Sequence, residues 1–123
     1  MRTIRFIYAL TMLLCMVSIK AKAYSFSAEN EDGVTIYYNI TTPLSSVEVT
    51  YKDAPTRDSG FGLYIYYPSY SGDVVIPSTV TTKTGIQYTV TSIGNSAFRN
   101  CDKLTSIILP EIVTSIEQGA FQD

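Results

Sequence analysis

The sequence predicts a solenoid of stacked strand-and-turn units that follows a β-rich N-terminal segment. The letters VTSIGNSAF at 90–98 return as VTSIEQGAF at 113–121, an offset of 113 − 90 = 23, with the first four and last two letters unchanged. Repetition at a fixed period in this range is the sequence signature of repeat architectures. Ahead of the repeat, β-branched and aromatic residues alternate with polar ones over 34–51, which predicts half-buried strands.

The segment 1–23 predicts a secretory signal peptide. Arg2 and Arg5 give a basic start, and 6–19 form an uncharged apolar run. This run is shorter than the roughly 20 residues that span a bilayer. Ala-Lys-Ala at 21–23 supplies the small-x-small pattern that precedes cleavage, so we expect Ala23 to end the leader.

Two other interpretations of the leader remain open. An uncleaved apolar segment would serve as an anchor helix. A lipidated Cys15 would instead end the leader earlier, but Leu14 precedes it where a small residue is needed, and apolar residues continue after it. A membrane contact is therefore expected only through the leader or an anchor outside this sequence.

Charge and cysteine content after the leader exclude several classes of protein. Five basic and eleven acidic residues remain, a net charge of 5 − 11 = −6. An acidic chain is a poor partner for nucleic acid, whose phosphates require clustered lysine and arginine. Cys101 is the one cysteine left, so no internal disulfide can form and packing must hold the fold together.

The segment 24–71 predicts short strands with turns. An acidic turn ends at Gly33, and alternating residues then predict one strand over 34–40 and a second over 45–51, joined as a hairpin or meander. The segment 52–62 is loop-like because proline and glycine interrupt it, and 63–72 predicts a further short strand.

The segment 72–123 has a different pattern. Two short apolar strands, 74–77 and 88–93, flank a turn that contains Gly85. The apolar residues of 97–104 fall at 0, +1, +4 and +7, which predicts one face of a short helical segment. The next stretch, 104–110, has the form L-x-x-I-x-L, the strand signature of leucine-rich repeats.

Interior positions of the repeat coincide at the offset of 23, whereas the letters between them differ. This is the pattern that stacked units require, because the core must match and the surface can vary. The predicted repeat core comprises Val90, Ile93, Ala97, Phe98, Cys101, Leu104, Ile107, Leu109, Val113, Ile116, Ala120 and Phe121.

These letters resemble the BspA-like leucine-rich repeat family of bacterial surface proteins, whose unit is approximately LxxIxLPxxVTSIGxxAFxxCxx. LTSIILPEIVTSIEQGAFQD matches from Leu104 onward, and VTSIGNSAFRNC supplies the rear half of the preceding unit. The resemblance implies an α/β leucine-rich-repeat solenoid, β-dominated with short helical turns, after a β-rich N-terminal cap over 24–71. Glu117 departs from the family's glycine, so we expect a less favourable turn there, since other residues resist positive φ.

The same resemblance implies function. Family members are associated with adhesion, so we expect a secreted or cell-surface protein that binds a host or extracellular protein or a glycan. A structural cap and spacer, with the activity of a larger surface protein downstream, is the alternative. About three units are needed for a stable solenoid. The segment 72–123 holds roughly one and a half, so we expect a longer solenoid of which this chain is a part.

Catalytic and cofactor signatures are absent from the sequence. There is no histidine, Cys101 has no base partner, and neither a G-x-S-x-G elbow nor a glycine-rich phosphate loop occurs. We therefore predict no enzyme activity, no cofactor and no metal. Glu29, Glu31 and Asp32 could hold Ca²⁺, although such clusters are more often solvated turns.

Tyrosines are the conspicuous excess, nine of them after the leader. On a short strand that begins at 63 and ends near Pro68, Tyr64 and Tyr66 share one face, and Leu63, Ile65 and Tyr67 share the other. If the aliphatic face packs inward, Tyr64 and Tyr66 are exposed, with Tyr70 nearby, and can contact a protein or glycan partner. The alternative is that they cover the first repeat or form cross-strand pairs.

Overall fold

The computed structural model describes residues 23–123, so the predicted signal peptide lies outside the described residues except for Ala23. Strands and turns make up this part of the chain, which contains no helix. The strands are β1 (Phe26–Glu29), β2 (Thr35–Thr42), β3 (Ser46–Thr50), β4 (Thr56–Arg57), β5 (Tyr64–Ile65), β6 (Gly72–Val75), β7 (Thr79–Thr81), β8 (Gln87–Ile93), β9 (Leu104–Ile108) and β10 (Ser115–Ile116).

One sheet joins the N-terminal segment to the repeats. Its order is β1-β2-β3-β8-β10, and β7 pairs with the first half of β8. The predicted strands at 34–40 and 45–51 are confirmed as β2 and β3, which pair antiparallel, whereas β3 and β8 are parallel. The parts of the chain before and after position 72 therefore share backbone hydrogen bonds.

The offset of 23 in the sequence is also the register of the stacking. In the parallel pair β8–β10, Ser92 lies beside Ser115 and Ile93 beside Ile116. The rings of Phe98 and Phe121, which have the same offset, stack with centroids 5.1 Å apart and planes 6° apart. Equivalent residues thus lie directly above one another, as a solenoid requires.

A second parallel ladder forms a separate wall. β6 and β9 pair with Val74 beside Ile107 and Val75 beside Ile108. The predicted strand over 104–110 is confirmed as β9, and its neighbour is the strand predicted over 74–77. The first unit is longer than the second because the hairpin of β7 and β8, turning at Gly85 with φ of 88°, is inserted after β6.

The core lies between these walls and includes residues of both chain halves. Of the predicted repeat core, Val90, Ile93, Ala97, Phe98 and Ala120 are buried, and Cys101, Leu104, Ile107, Leu109 and Val113 are partly buried against the same cluster. The N-terminal segment adds Ile36, Tyr38, Val47 and Val49, all at most 1% exposed.

Two predicted core residues are exposed, and for them the prediction is wrong. Ile116 is 55% exposed and Phe121 43% exposed. Each packs on its equivalent in the preceding unit, Ile93 and Phe98, but no described residue covers its other side. A stacked position becomes interior only when units lie on both sides of it.

The predicted helical segment over 97–104 is also wrong. Successive i→i−3 hydrogen bonds run from Ala97 N to Gly94 O and from Arg99 N to Ser96 O, which is turn geometry. Ser96 and Asn100 have φ of 60° and 57°. Left-handed residues interrupt a right-handed helix, so apolar spacing alone misassigned the segment.

The turn was expected to require positive φ at Glu117, and the structure places the positive φ at another position. Its equivalent, Gly94, is not in the left-handed region; positive φ occurs two positions later, at Ser96 (60°) and Gly119 (70°). Gly94 is needed for another reason, since a Cβ there would lie 2.9 Å from Val49 O and 2.9 Å from Glu48 Cδ.

Ser96→Gly is expected to raise the free energy of unfolding by up to about 1 kcal/mol, because glycine adopts positive φ without steric cost. The loss of the 2.8 Å hydrogen bond from Ser96 Oγ to Asn95 Oδ1 offsets part of the gain. Urea denaturation measures the change. Ser96→Ala is the control: it loses the hydrogen bond and keeps the strain, so it should destabilise. A Ser96→Gly variant less stable than Ser96→Ala would contradict this account.

Amide exchange should be slower over 34–93 than over 104–123. The first range supplies most of the fully buried residues, and the second is covered from one side only. Hydrogen exchange followed by mass spectrometry of peptic fragments makes the comparison. Equal protection of both ranges would contradict the expected weakness of the last unit.

Candidate partner-binding surface

Residues 56–65 form a two-stranded hairpin, called here the apolar hairpin. Thr56 pairs with Ile65 and Arg57 with Tyr64. Asp58 closes the loop: its N–H donates to Leu63 O at 2.7 Å and its carbonyl accepts from Gly62 N at 3.0 Å. The hairpin pairs with no other strand of residues 23–123.

The apolar hairpin carries a cluster of exposed hydrophobic side chains. Phe61 is 85% exposed, Leu63 67%, Tyr64 61% and Ile65 46%. The chain carries no charge between Asp58 and Asp73. Exposed apolar clusters of this kind mark interaction sites in soluble proteins. Sequence reasoning missed Phe61, Leu63 and Ile65 as surface residues; the signal that could have found them is the uncharged run that contains Gly60 and Gly62.

The condition attached to the predicted exposure of Tyr64 and Tyr66, an aliphatic face that packs inward, is not met. Leu63 and Ile65 are both exposed. The strand is very short and has one neighbour, so neither of its faces meets a second layer. Tyr64 is exposed, as expected.

Tyr66, predicted to be exposed with Tyr64, is instead half-buried and lies at the base of the apolar hairpin. Its ring meets Tyr51 edge-on, with centroids 6.0 Å apart, and the guanidinium carbon of Arg99 lies 4.3 Å from its centroid. The amide of Asn100 donates to its carbonyl at 3.1 Å. Burial, together with Tyr66 and Glu48 nearby, raises the pKa of Tyr51. Tyr66 therefore ties the hairpin to the repeat turn.

Tyr70 is a core residue, which corrects its prediction as a partner contact. It is 4% exposed, and its ring lies 4.7 Å from that of Phe98. Its hydroxyl donates to Thr50 O at 2.5 Å and accepts from Tyr37 N at 3.1 Å. Tyr70 thus packs on one side of the Phe98 ring, and Phe121 packs on the other.

Tyr70→Phe should cost about 1–3 kcal/mol of unfolding free energy, because it removes the hydroxyl that bonds the buried Thr50 carbonyl and the partly buried Tyr37 N–H. Burial raises the pKa of Tyr70 far above the ordinary value of 10. The unfolded chain therefore loses this proton first, so stability is full below pH 10 and falls above it, by about 1.4 kcal/mol per pH unit for each such tyrosine. Denaturation from pH 8 to 11.5 should give a shallower decline for Tyr70→Phe; equal slopes would contradict the assignment.

The acidic cluster at 29–32 is organised as a turn. The side-chain oxygen of Asn30 accepts from the N–H groups of Asp32 and Val34, each at 2.9 Å. Within residues 23–123, no group of three or more ligating side chains is placed to hold a metal ion.

Across the same residues, no helix has the length and apolar character needed to cross a membrane.

Cys101 packs against the core and is half-buried. Its thiol lies 3.7 Å from the carbonyl of Arg99. Its role in the structure is that of a small apolar side chain with a weak hydrogen bond.

Comparison with known proteins identifies the repeat. Residues 65–123 match the family described as "BspA type Leucine rich repeat region (6 copies)". The chain is also similar to a crystal structure of a leucine-rich repeat protein from Bacteroides ovatus, at 34% identity and a TM-score of 0.55. No curated protein matches it.

The Bacteroides protein is much longer than the similar region. The match covers 80% of this chain and 21% of that one. Leucine-rich repeats are in general non-catalytic scaffolds that bind proteins on their extended surfaces. With the ladders, the register of 23 and the turns now described, residues 65–123 belong to the BspA-type leucine-rich repeat family.

Proposed function

We propose that this chain belongs to a secreted or cell-surface protein that binds a host or extracellular protein without catalysis. The segment 1–23 acts as its signal peptide, 24–71 as a β-rich cap and 72–123 as the start of the solenoid. The family's repeat architecture supports a binding role. The apolar hairpin carries the proposal, because four large hydrophobic side chains are exposed there.

A protein partner fits the apolar hairpin better than a glycan. Phe61, Leu63 and Ile65 offer no hydrogen-bonding groups, and Tyr64 alone has a polar tip. Sugars present hydroxyl groups that require polar partners, whereas protein interfaces have apolar and aromatic centres. Adhesion through a protein contact is therefore the favoured form of the function.

Binding of the secreted protein to immobilised extracellular-matrix proteins and to a glycan array tests this proposal. The double variant Phe61→Ser/Tyr64→Ser should weaken binding to a matrix protein at least about tenfold, the loss expected for removing two interface anchors. Ile112→Ser, an exposed residue outside the hairpin, is the matched control. Binding to glycans alone, or equal binding by both variants, would contradict the proposal. N-terminal sequencing should find Tyr24 first.

A structural cap and spacer is the second candidate. The exposed Ile116 and Phe121 form a surface on which a further unit can stack, an arrangement that both candidates require. The gene sequence beyond Asp123 separates the two candidates. Further units of the same period with a sorting tail favour adhesion, and an appended catalytic domain favours the spacer.

A further inference from the structure

A groove separates the two edge strands β1 and β7. Among residues 23–123, β1 pairs only with β2, and β7 only with β8. A cleft of about 620 Å³ lies between β1 and β7, and a second of about 540 Å³ lies between β1 and the turn that joins β7 to β8. In the first, 28–32 faces 77–81; in the second, 24–27 faces 82–88. The two walls therefore run antiparallel, and together they line one groove.

Both walls present backbone hydrogen-bonding groups to this groove. The N–H of Asn30 donates to Val34 O at 2.9 Å, so the backbone of Asn30 faces the β2 side. Along an antiparallel pair, residues whose backbone groups face the neighbouring strand alternate with residues whose groups face away from it. Ser27 and Glu29 therefore direct their N–H and C=O groups away from β2. On the other wall, Ser78 and Thr82 bond to the β8 side. By the same alternation, Thr79 and Thr81 face outward. Edge strands with such rows of groups pair with an added strand.

The side chains that line the groove differ between its two ends. Glu29, Glu31 and Asp32 line the first cleft, which no lysine or arginine lines. Phe26, Ile40, Ile86 and the basic residue Lys83 line the second, where Ile40 and Ile86 are 41% and 36% exposed. The groove thus favours a positive charge at one end and apolar side chains at the other.

We propose that this groove binds an extended peptide segment of a partner protein, which adds as a strand between β1 and β7. The segment carries a basic residue beside Glu29 and Glu31 and β-branched apolar residues beside Ile40 and Ile86. Main-chain hydrogen bonds supply the affinity, and the two ends of the groove supply the orientation. The site is separate from the apolar hairpin, so either can fail without the other.

A synthetic heptapeptide tests the backbone requirement. The probe is acetyl-Lys-Thr-Val-Thr-Ile-Thr-Val-amide, labelled for fluorescence anisotropy, with the chain from Tyr24 onward. A peptide of the same sequence, N-methylated at alternate amides, is the matched control. Saturable binding of the first and at least about tenfold weaker binding of the second is expected. Equal binding of the two peptides, or no binding of either, would overturn the proposal.

Protein variants test the two walls. Thr81→Pro removes an outward donor from β7, and Glu29→Lys/Glu31→Lys reverses the charge of the first cleft. Each change should weaken binding of the heptapeptide at least about tenfold. Raising the salt concentration should reduce the difference in affinity between the parent and Glu29→Lys/Glu31→Lys, because salt screens the charges. Tyr64→Ala and Glu111→Lys, both outside the groove, should bind as the parent does. Because Thr81→Pro can unfold β7, its circular dichroism is compared with the parent's, and the N-methylated peptide provides the same test without a mutation.

A second copy of this chain is the competing occupant. Sedimentation velocity of the unliganded chain over a hundredfold range of concentration detects it. A monomer throughout supports the peptide proposal. A dimer that Thr81→Pro abolishes, together with heptapeptide binding only where the dimer dissociates, would assign the groove to self-association and overturn the proposal.

Discussion

Phe98→Ala is expected to lower the free energy of unfolding by about 3–5 kcal/mol, the cost of truncating a fully buried aromatic side chain. Phe98 is 2% exposed and lies between two other rings, 4.7 Å from Tyr70 and 5.1 Å from Phe121. Removing the middle ring leaves a cavity that neither neighbour can fill, since each is held by its own unit. Urea denaturation followed by circular dichroism measures the loss.

The repeat supplies its own control for this prediction. Phe121→Ala changes the same residue type in the equivalent turn of the next unit, but Phe121 is 43% exposed. Truncation there exposes one face of Phe98 and creates no enclosed cavity, so we expect a loss of only about 1 kcal/mol. Equal losses for the two variants would contradict the one-sided covering of the last unit.

Gly94→Ala is expected to cost about 1–3 kcal/mol, as overpacking does in a well-packed interior. The added methyl group would lie 2.9 Å from the carbonyl oxygen of Val49 and 2.9 Å from Glu48 Cδ. The Glu48 side chain can move, but the Val49 carbonyl cannot, because it accepts the 2.8 Å hydrogen bond of Gly94 N and belongs to the central strand β3. Relief therefore requires β3 and β8 to separate.

Gly60→Ala is the matched control for this substitution. Gly60 is outside the left-handed region, and a Cβ there would meet only Asp58 Oδ1 at 3.6 Å, an ordinary contact. We expect its midpoint in urea to match that of the parent. A Gly94→Ala variant as stable as Gly60→Ala would show that β3 can move away from the turn and that the close approach is not required.

The repeat was predictable because stacking imposes the same interior demand on each unit. Val90 and Ile93 lie at positions that return as Val113 and Ile116, so two copies sufficed to predict the solenoid and its period. The L-x-x-I-x-L pattern that begins at Leu104 predicted strand β9. The strands β2 and β3 followed from alternation for a similar local reason. The turn at 94–100 was misassigned because its left-handed residues, Ser96 and Asn100, carry no sequence signal as strong as glycine.

The candidate binding surface was only partly predictable. Tyr64 is exposed, as its prediction as a partner contact requires, but the inward packing of Leu63 and Ile65 on which that prediction depended does not occur. Tyr70 was misplaced because its burial depends on Phe98, which belongs to a later turn of the chain, and on the Thr50 carbonyl that its hydroxyl reaches. No local pattern reports such a contact.

The sequence by itself determined the period, the parallel register and the identity of the repeat, because these depend on residues that recur at fixed spacing. Tertiary structure alone decided which of those residues are covered and which edges face each other. Ile93 and Ile116 carry the same side chain in the same strand position, yet one is 0% and the other 55% exposed. Burial belongs to a position between two neighbours, and a single sequence motif does not specify how many neighbours it has.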